Sequence, residues 1–152
     1  MTPSKLQVKV LASRAAKVRR MIEGIEQLPL DDFSHFQSDR RNLAAADSYL
    51  RRALEALLDL GRHVAARGYG RPVTEYRRVG PALVEAEVLD EAEGLMLRKM
   101  AGYRNRLVHF YQEISDWELF EICIENLNDI EKVLTAILTW AKNHPEKVEG
   151  SL

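Results

Sequence analysis

The sequence is short of cysteine: Cys123 is the only one. No intrachain disulfide can form, and no cysteine cluster can hold a metal. An excess of one charge is missing too, since 22 Lys and Arg stand against 23 Asp and Glu. Proteins that wrap nucleic acid carry a basic excess, because neutralising phosphates drives their affinity. Any such contact here must come from a local patch. No apolar run approaches the roughly 18 residues that a membrane span needs. Met1 to Leu11 has neither a long apolar core nor a small-residue cleavage site, so no signal peptide is expected. The expected location is the cytoplasm, without membrane contact. The four histidines, His35, His63, His109 and His144, are scattered along the chain, so no metal site and no cofactor are expected. Strand-like alternation, internal repeats and low-complexity tracts are absent.

What is present is apolar residues at helical spacing. Hydrophobic residues make up 46% of the 152, enough for one domain with a real core. From Ser4 to Gln27 the stripe is Val8, Leu11, Ala15, Val18, Ile22 and Ile25, ended by Pro29. From Asp32 to Ala66 it is Leu43, Ala46, Leu50, Ala53, Leu57, Leu60 and Val64, with Leu54 and Leu58 widening the apolar face. Two faces to cover imply a central helix, or one that also meets a second chain. From Val73 to Leu89 the pattern is weaker, and Gly80-Pro81 splits it into a short helix at Tyr76 and another over Ala82 to Val88. Asp90 with Glu93 caps a fourth helix, with Met96, Met100, Tyr103 and Leu107 as its core stripe, reaching His109 and fraying near Tyr111. Ser115 with Glu118 caps a fifth, with Phe120, Cys123, Leu127, Ile130, Leu134, Ile137 and Ala141. Cys123 reads as an inert core thiol. The expectation is an all-α, up-and-down bundle of about five helices with a broken third segment. Residues 1–145 form its single domain and 146–152 a flexible tail.

The chemistry sits in Arg104-Asn105-Arg106-Leu107-Val108-His109-Phe110-Tyr111. At about 100° per residue, Asn105 and His109 stack on a face opposite the core stripe, and Arg104 lies roughly 140° from His109. The long Arg side chain, a distorted helix end or a second copy of the chain is needed to bring Arg104 and His109 together. Histidine moves protons near neutral pH. Arginine offers a planar fork of donors that fits a phosphate. Asparagine can orient either. RNA supplies its own nucleophile, the 2′-OH, so such a group could cleave it without a metal. Spacing alone leaves open a plain polar helix end. Asp59, between Leu58 and Leu60, reads as a helix-surface carboxylate or as a partner for an arginine across a dimer interface. Arg51, Arg52, Arg62, Arg67, Arg71, Arg77 and Arg78 either join Arg104 and Arg106 in a basic rim or are solvated faces.

The same stretch resembles the R-x4-H-x-Y signature of the HepT toxins within the HEPN superfamily, with Asn105 as the polar residue after the arginine. Leu57-Leu58-Asp59-Leu60-Gly61-Arg62-His63 is similar to the end of that family's second helix, and Met100-Ala101-Gly102-Tyr103 to its lead-in. The resemblance covers nearly the whole chain. It implies a HEPN-like homodimer with the motif facing a cleft at the interface. It implies a metal-independent endoribonuclease toxin acting on RNA, with no DNA substrate. By position, Arg104 would bind the phosphate, His109 would be the acid/base group and Asn105 would orient them. The implied partner is an MntA-type minimal nucleotidyltransferase antitoxin, which would silence the toxin by adding AMP to Tyr111. Phe110 stands where many relatives carry a polar residue. The alternatives are a non-catalytic HEPN module that binds a nucleotide or a partner, and a purely structural helical adaptor.

Overall fold

The computed structural model describes residues 4–109 and 114–150. Seven α-helices account for most of them: α1 (Val8–Glu26), α2 (Phe33–Gln37), α3 (Arg40–His63), α4 (Val79–Glu85), α5 (Glu91–Val108), α6 (Asp116–Glu125) and α7 (Leu127–Asn143). They pack around one hydrophobic core. No helix among the described residues is long and apolar enough to cross a membrane.

The all-α bundle agrees with the periodicity, and the differences lie in where the five expected segments break. The second divides at Ser38, and Asp32 and Asp39 cap α2 and α3 through bonds of 2.7 and 2.9 Å to backbone N–H groups. The fifth divides at Asn126, between α6 and α7. Gly80-Pro81, expected to split the third segment, instead lies in the first turn of α4. A proline there loses nothing, because first-turn N–H groups have no intrahelical partner. A 3₁₀ turn, Tyr76–Arg78, runs straight into α4.

The helix α3 is central because its apolar face is wide. Leu50, Ala53, Leu54, Leu57, Leu58 and Leu60 are all buried, and α1, α5, α4 and α6 pack around them. The buried Cys123 thiol is pushed up to about 12 by burial. It is therefore a poor nucleophile near neutral pH.

Residues 146–149 correct the expectation of a loose tail. Val148 and Glu149 pair in parallel with Leu6 and Gln7, and Leu6 and Val148 are both buried. The Lys147 ammonium donates to the Gly68 carbonyl at 2.9 Å and sits 4.4 Å from the centroid of the Tyr69 ring. Apolar burial and a satisfied cation hold this end down. His63 anchors the other strand: its Nε2 accepts the Gln7 N–H at 3.2 Å.

Two backbone features fix how α4 meets α5, and so where the Tyr76 turn sits. A Cβ on Gly80 would lie 2.5 Å from the Gly94 carbonyl oxygen, so only glycine lets the two helices approach this closely. At its far end α4 closes with bonds from Val88 N to Leu83 O (2.9 Å) and from Glu87 N to Val84 O (3.0 Å). This is the Schellman pattern, but Glu87, at φ 62°, stands where glycine is favoured. The cost of a side chain in that conformation is about 1 kcal/mol. Glu87→Gly should therefore raise stability by up to about 1 kcal/mol, while Gly80→Ala should lower it by about 1–3 kcal/mol. Urea denaturation of the two variants checks both signs.

Candidate active site

The helix α5 begins with a reciprocal cap. Asp90 accepts from Glu93 N at 2.8 Å, and the Glu93 carboxylate accepts from Asp90 N at 2.9 Å. Beyond the cap the deepest face is Gly94, Leu97, Met100 and Ala101, whereas Met96, Tyr103 and Leu107 are only partly buried. The expected core stripe is thus rotated. The reason is that α4 and α3 pack against the side of α5 that carries Gly94 and Leu97. The rotation matters for Arg104. Leu97, Ala101 and Arg104 follow at steps of four and three residues, so they share a face. Arg104 lies on the side that meets α3 and is only 24% exposed.

The arginine is held from several directions. Nη2 donates to Glu55 Oε2 at 3.3 Å, and Nη1 donates to Asn105 Oδ1 at 3.3 Å. The guanidinium carbon lies 4.7 Å from the centroid of the Tyr76 ring, within reach of a cation–π attraction. Nε is buried and has no hydrogen-bond partner among the described residues. Glu55 is itself fixed by Arg51, whose Nη1 donates to Oε1 at 2.6 Å.

Tyr76 joins Arg104 to a second group on α3. Its hydroxyl donates to Asp59 Oδ1 at 2.7 Å, and Arg62 Nη2 donates to the same oxygen at 2.8 Å. Arg62 Nη1 also donates to the Thr74 carbonyl at 3.3 Å, and its guanidinium carbon is likewise 4.7 Å from the Tyr76 centroid. Partial burial, then the bond to Asp59, pushes the Tyr76 phenol up to about 12. It therefore stays protonated and donating. Both of these bonds fall on Asp59 Oδ1 and come from its own chain. A groove of about 510 Å³ opens beside these groups, lined by Arg62, Tyr76, Arg77, Arg104 and Asn105 together with Thr74 and Glu75.

Of the residues singled out by sequence, Arg104 and Asn105 are in direct contact and share this groove. His109 is the C-cap of α5. Its backbone is extended (φ −102°, ψ 98°), its N–H donates to the Asn105 carbonyl at 3.1 Å, and it is exposed. It is not among the side chains that line the groove. Tyr111 and Phe110 lie outside the described residues. Arg106 turns to the other side of α5, where its two terminal nitrogens meet Glu118 at 2.6 and 2.7 Å. That bidentate bond, first of all, holds the Glu118 carboxyl below its usual range. Ser115 still accepts from Glu118 N at 3.1 Å. Among the described residues no three His, Cys, Asp or Glu side chains converge as a metal cage would.

A family described as ribonuclease HepT-like matches residues 18–137. The chain belongs to this HepT-like family. The match runs from α1 to α7 and includes the Arg104–His109 segment. The mRNA nuclease HepT of Shewanella oneidensis is 26% identical over 129 residues, covering 84% of this chain and 96% of that one. A solved structure of a tri-AMPylated HEPN toxin from the same organism, in complex with an MNT antitoxin, superposes with a TM-score of 0.78. It is 25% identical and covers 86% of this chain and 97% of that one. The cytosolic protein YutE of Bacillus subtilis shares the fold, with a TM-score of 0.74 at 20% identity over 93% of each chain.

Sequence reasoning missed Glu55 and Tyr76. The signal for the first was available: Glu55, Asp59 and Arg62 fall at steps of four and three along α3, a polar ladder beside its apolar face. For Tyr76 no local pattern exists, because the close crossing of α4 and α5 is what delivers it. A double-mutant cycle tests the hold on Arg104. Glu55→Gln and Arg104→Gln should couple by about 1 kcal/mol in denaturation free energy, and additive effects would contradict the contact.

Proposed function

We propose that this HepT-like protein is a metal-independent endoribonuclease toxin whose cleavage site uses Arg104, Asn105 and His109. The observation that carries the reading is the state of Arg104: a guanidinium largely withdrawn from solvent, oriented by Glu55, Asn105 and Tyr76, five residues before an exposed histidine. A positioned planar fork suits a phosphodiester. His109 accepts the proton of the RNA 2′-OH, whose oxygen attacks the adjacent phosphorus. The P–O5′ bond breaks, the 5′ oxygen leaves with a proton taken from water, His109 gives its proton back to the solvent, and a 2′,3′-cyclic phosphate remains. Arg104 carries the charge that builds on the phosphate oxygens, and Asn105 fixes the arginine's plane. The nuclease named among the relatives supports the reaction class.

Because Arg104 faces α3 and His109 faces outward, the working site is a cleft between two copies, each giving residues to it. The protein acts in the cytoplasm and pairs with an MntA-type nucleotidyltransferase antitoxin. That partner adds AMP to Tyr111, two residues beyond His109. Anionic nucleotides there would repel an RNA phosphate. The AMPylated state of the relative crystallised with its antitoxin supports this control.

The purified protein should cut single-stranded RNA in the presence of EDTA. His109→Ala should lower the rate by about 10²–10⁴-fold. Equal cutting by wild type and variant would overturn the assignment. Binding without cutting would favour the alternative, a HEPN module that grips a nucleotide or a partner. Mass spectrometry after co-expression with the nucleotidyltransferase should find AMP on Tyr111 and none on a Tyr111→Phe variant. The same load on the variant would contradict that part.

A further inference from the structure

We infer that Arg62 is a second phosphate-holding group, which grips the phosphate next to the scissile one, with Tyr76 as the spacer between the two grips. The inference rests on the cleavage reading for the role of Arg104, and on the following geometry for Arg62. Both guanidinium carbons lie 4.7 Å from the centroid of one tyrosine ring. They can therefore be no more than about 9 Å apart, a span that neighbouring phosphates of one strand can bridge. Both side chains line the same open groove.

Arg62 is also held ready rather than used up. A guanidinium has five N–H donors. The bonds to Asp59 and to the Thr74 carbonyl engage one on each terminal nitrogen. The remaining donors leave room for a phosphate. The side chain is 37% exposed, partly desolvated yet open to a ligand. Asp59 and Glu75 are the acidic groups beside Arg62, and Glu55 is the one on Arg104, where it is also paired with Arg51. Asp59 accepts from Tyr76 and Arg62 on Oδ1 and is ion-paired with Arg62 at 2.8 Å. Glu75, on the groove wall, is paired with Arg77 at 2.7 Å and with Arg78 at 3.7 Å. None of these presents an uncompensated charge to an incoming strand. The Tyr76 hydroxyl, bonded to Asp59, holds the far end of the ring in place between the two forks.

The ligand class is single-stranded RNA with at least two consecutive phosphates. The probes are 2′-O-methyl oligoribonucleotides, which lack the attacking hydroxyl and so report binding apart from cleavage. A trimer with two internal phosphodiesters should bind wild type more tightly than a dimer with one. Arg62→Gln should remove most of that difference, a loss of about tenfold to a hundredfold for the trimer. It should also reduce the slope of log affinity against log salt by about 0.7, the value for one phosphate on a single strand. Arg62→Lys keeps the charge and loses the fork, so its salt slope should stay near wild type while its affinity falls. A merely structural role for Arg62 would move neither the salt slope nor the dimer–trimer difference.

Wild-type slope and wild-type length preference in Arg62→Gln would overturn the inference. Should Arg62→Gln fail to fold, a trimer with a neutral methylphosphonate in place of one phosphodiester replaces it. Wild type should then bind this trimer no better than the dimer, and undiminished binding would overturn the inference. If Arg62→Gln shows the loss but wild type cuts no RNA, the cleavage reading falls and the phosphate grip stands.

Discussion

A guanidinium drawn partly out of water needs a counter-charge and a surface to rest on, and Arg104 finds both on neighbouring elements. Glu55 on α3 supplies the charge, at 3.3 Å. Tyr76, on the turn before α4, supplies the surface. Each contact depends on a packing decision made elsewhere. The leucine-rich face of α3 makes it the central helix and brings Glu55 to α5. The glycine contact between Gly80 and Gly94 sets α4 close against α5 and delivers Tyr76. Core packing thus places the polar groups, and the polar groups place Arg104.

The arrangement carries a tension. Burying an arginine with one donor unpaired among the described residues costs stability, about 1–3 kcal/mol for a lone buried donor. Such costs persist where a defined geometry is needed for a ligand. Elsewhere the described surface is ordinary: Arg19 with Glu131, Arg40 with Asp116 and Arg41 with Asp39 are exposed pairs, which contribute little. The chain is nearly neutral overall, so the arginines grouped around Tyr76 form a local concentration of donors rather than part of a basic surface. That suits the proposed cleavage, which must engage a short length of strand and release it.

Much of this was legible in the sequence, for reasons that differ from element to element. The stripes of α1 and α3 announce themselves because their apolar positions repeat every three or four residues. The Asp90–Glu93 cap is local chemistry, readable from two letters. The fine placement of α5 was not legible. Met96 and Tyr103 look like core residues, but the close approach of α4 at Gly94 turns the helix so that Leu97 and Ala101 take the centre. Arg104 rotates inward with them. The docking of Val148 against Leu6 was hidden for a similar reason, since two-residue strands have no periodicity and only the fold brings the chain ends together. In the candidate site, Arg104, Asn105 and His109 were marked by residue type and by resemblance. Glu55 and Tyr76 were not, because their roles exist only once three elements have met.

The central claim is that Arg104 and His109 act on one phosphate in a cleft that two copies build. Co-refolding Arg104→Ala with His109→Ala protomers tests it most directly. Each variant alone has lost one of the two groups, but a mixed dimer regains one whole site if the arginine comes from one copy and the histidine from the other. The account predicts that RNA cleavage reappears on mixing. A mixture as inactive as its parents, alongside an active wild-type protein, would contradict it.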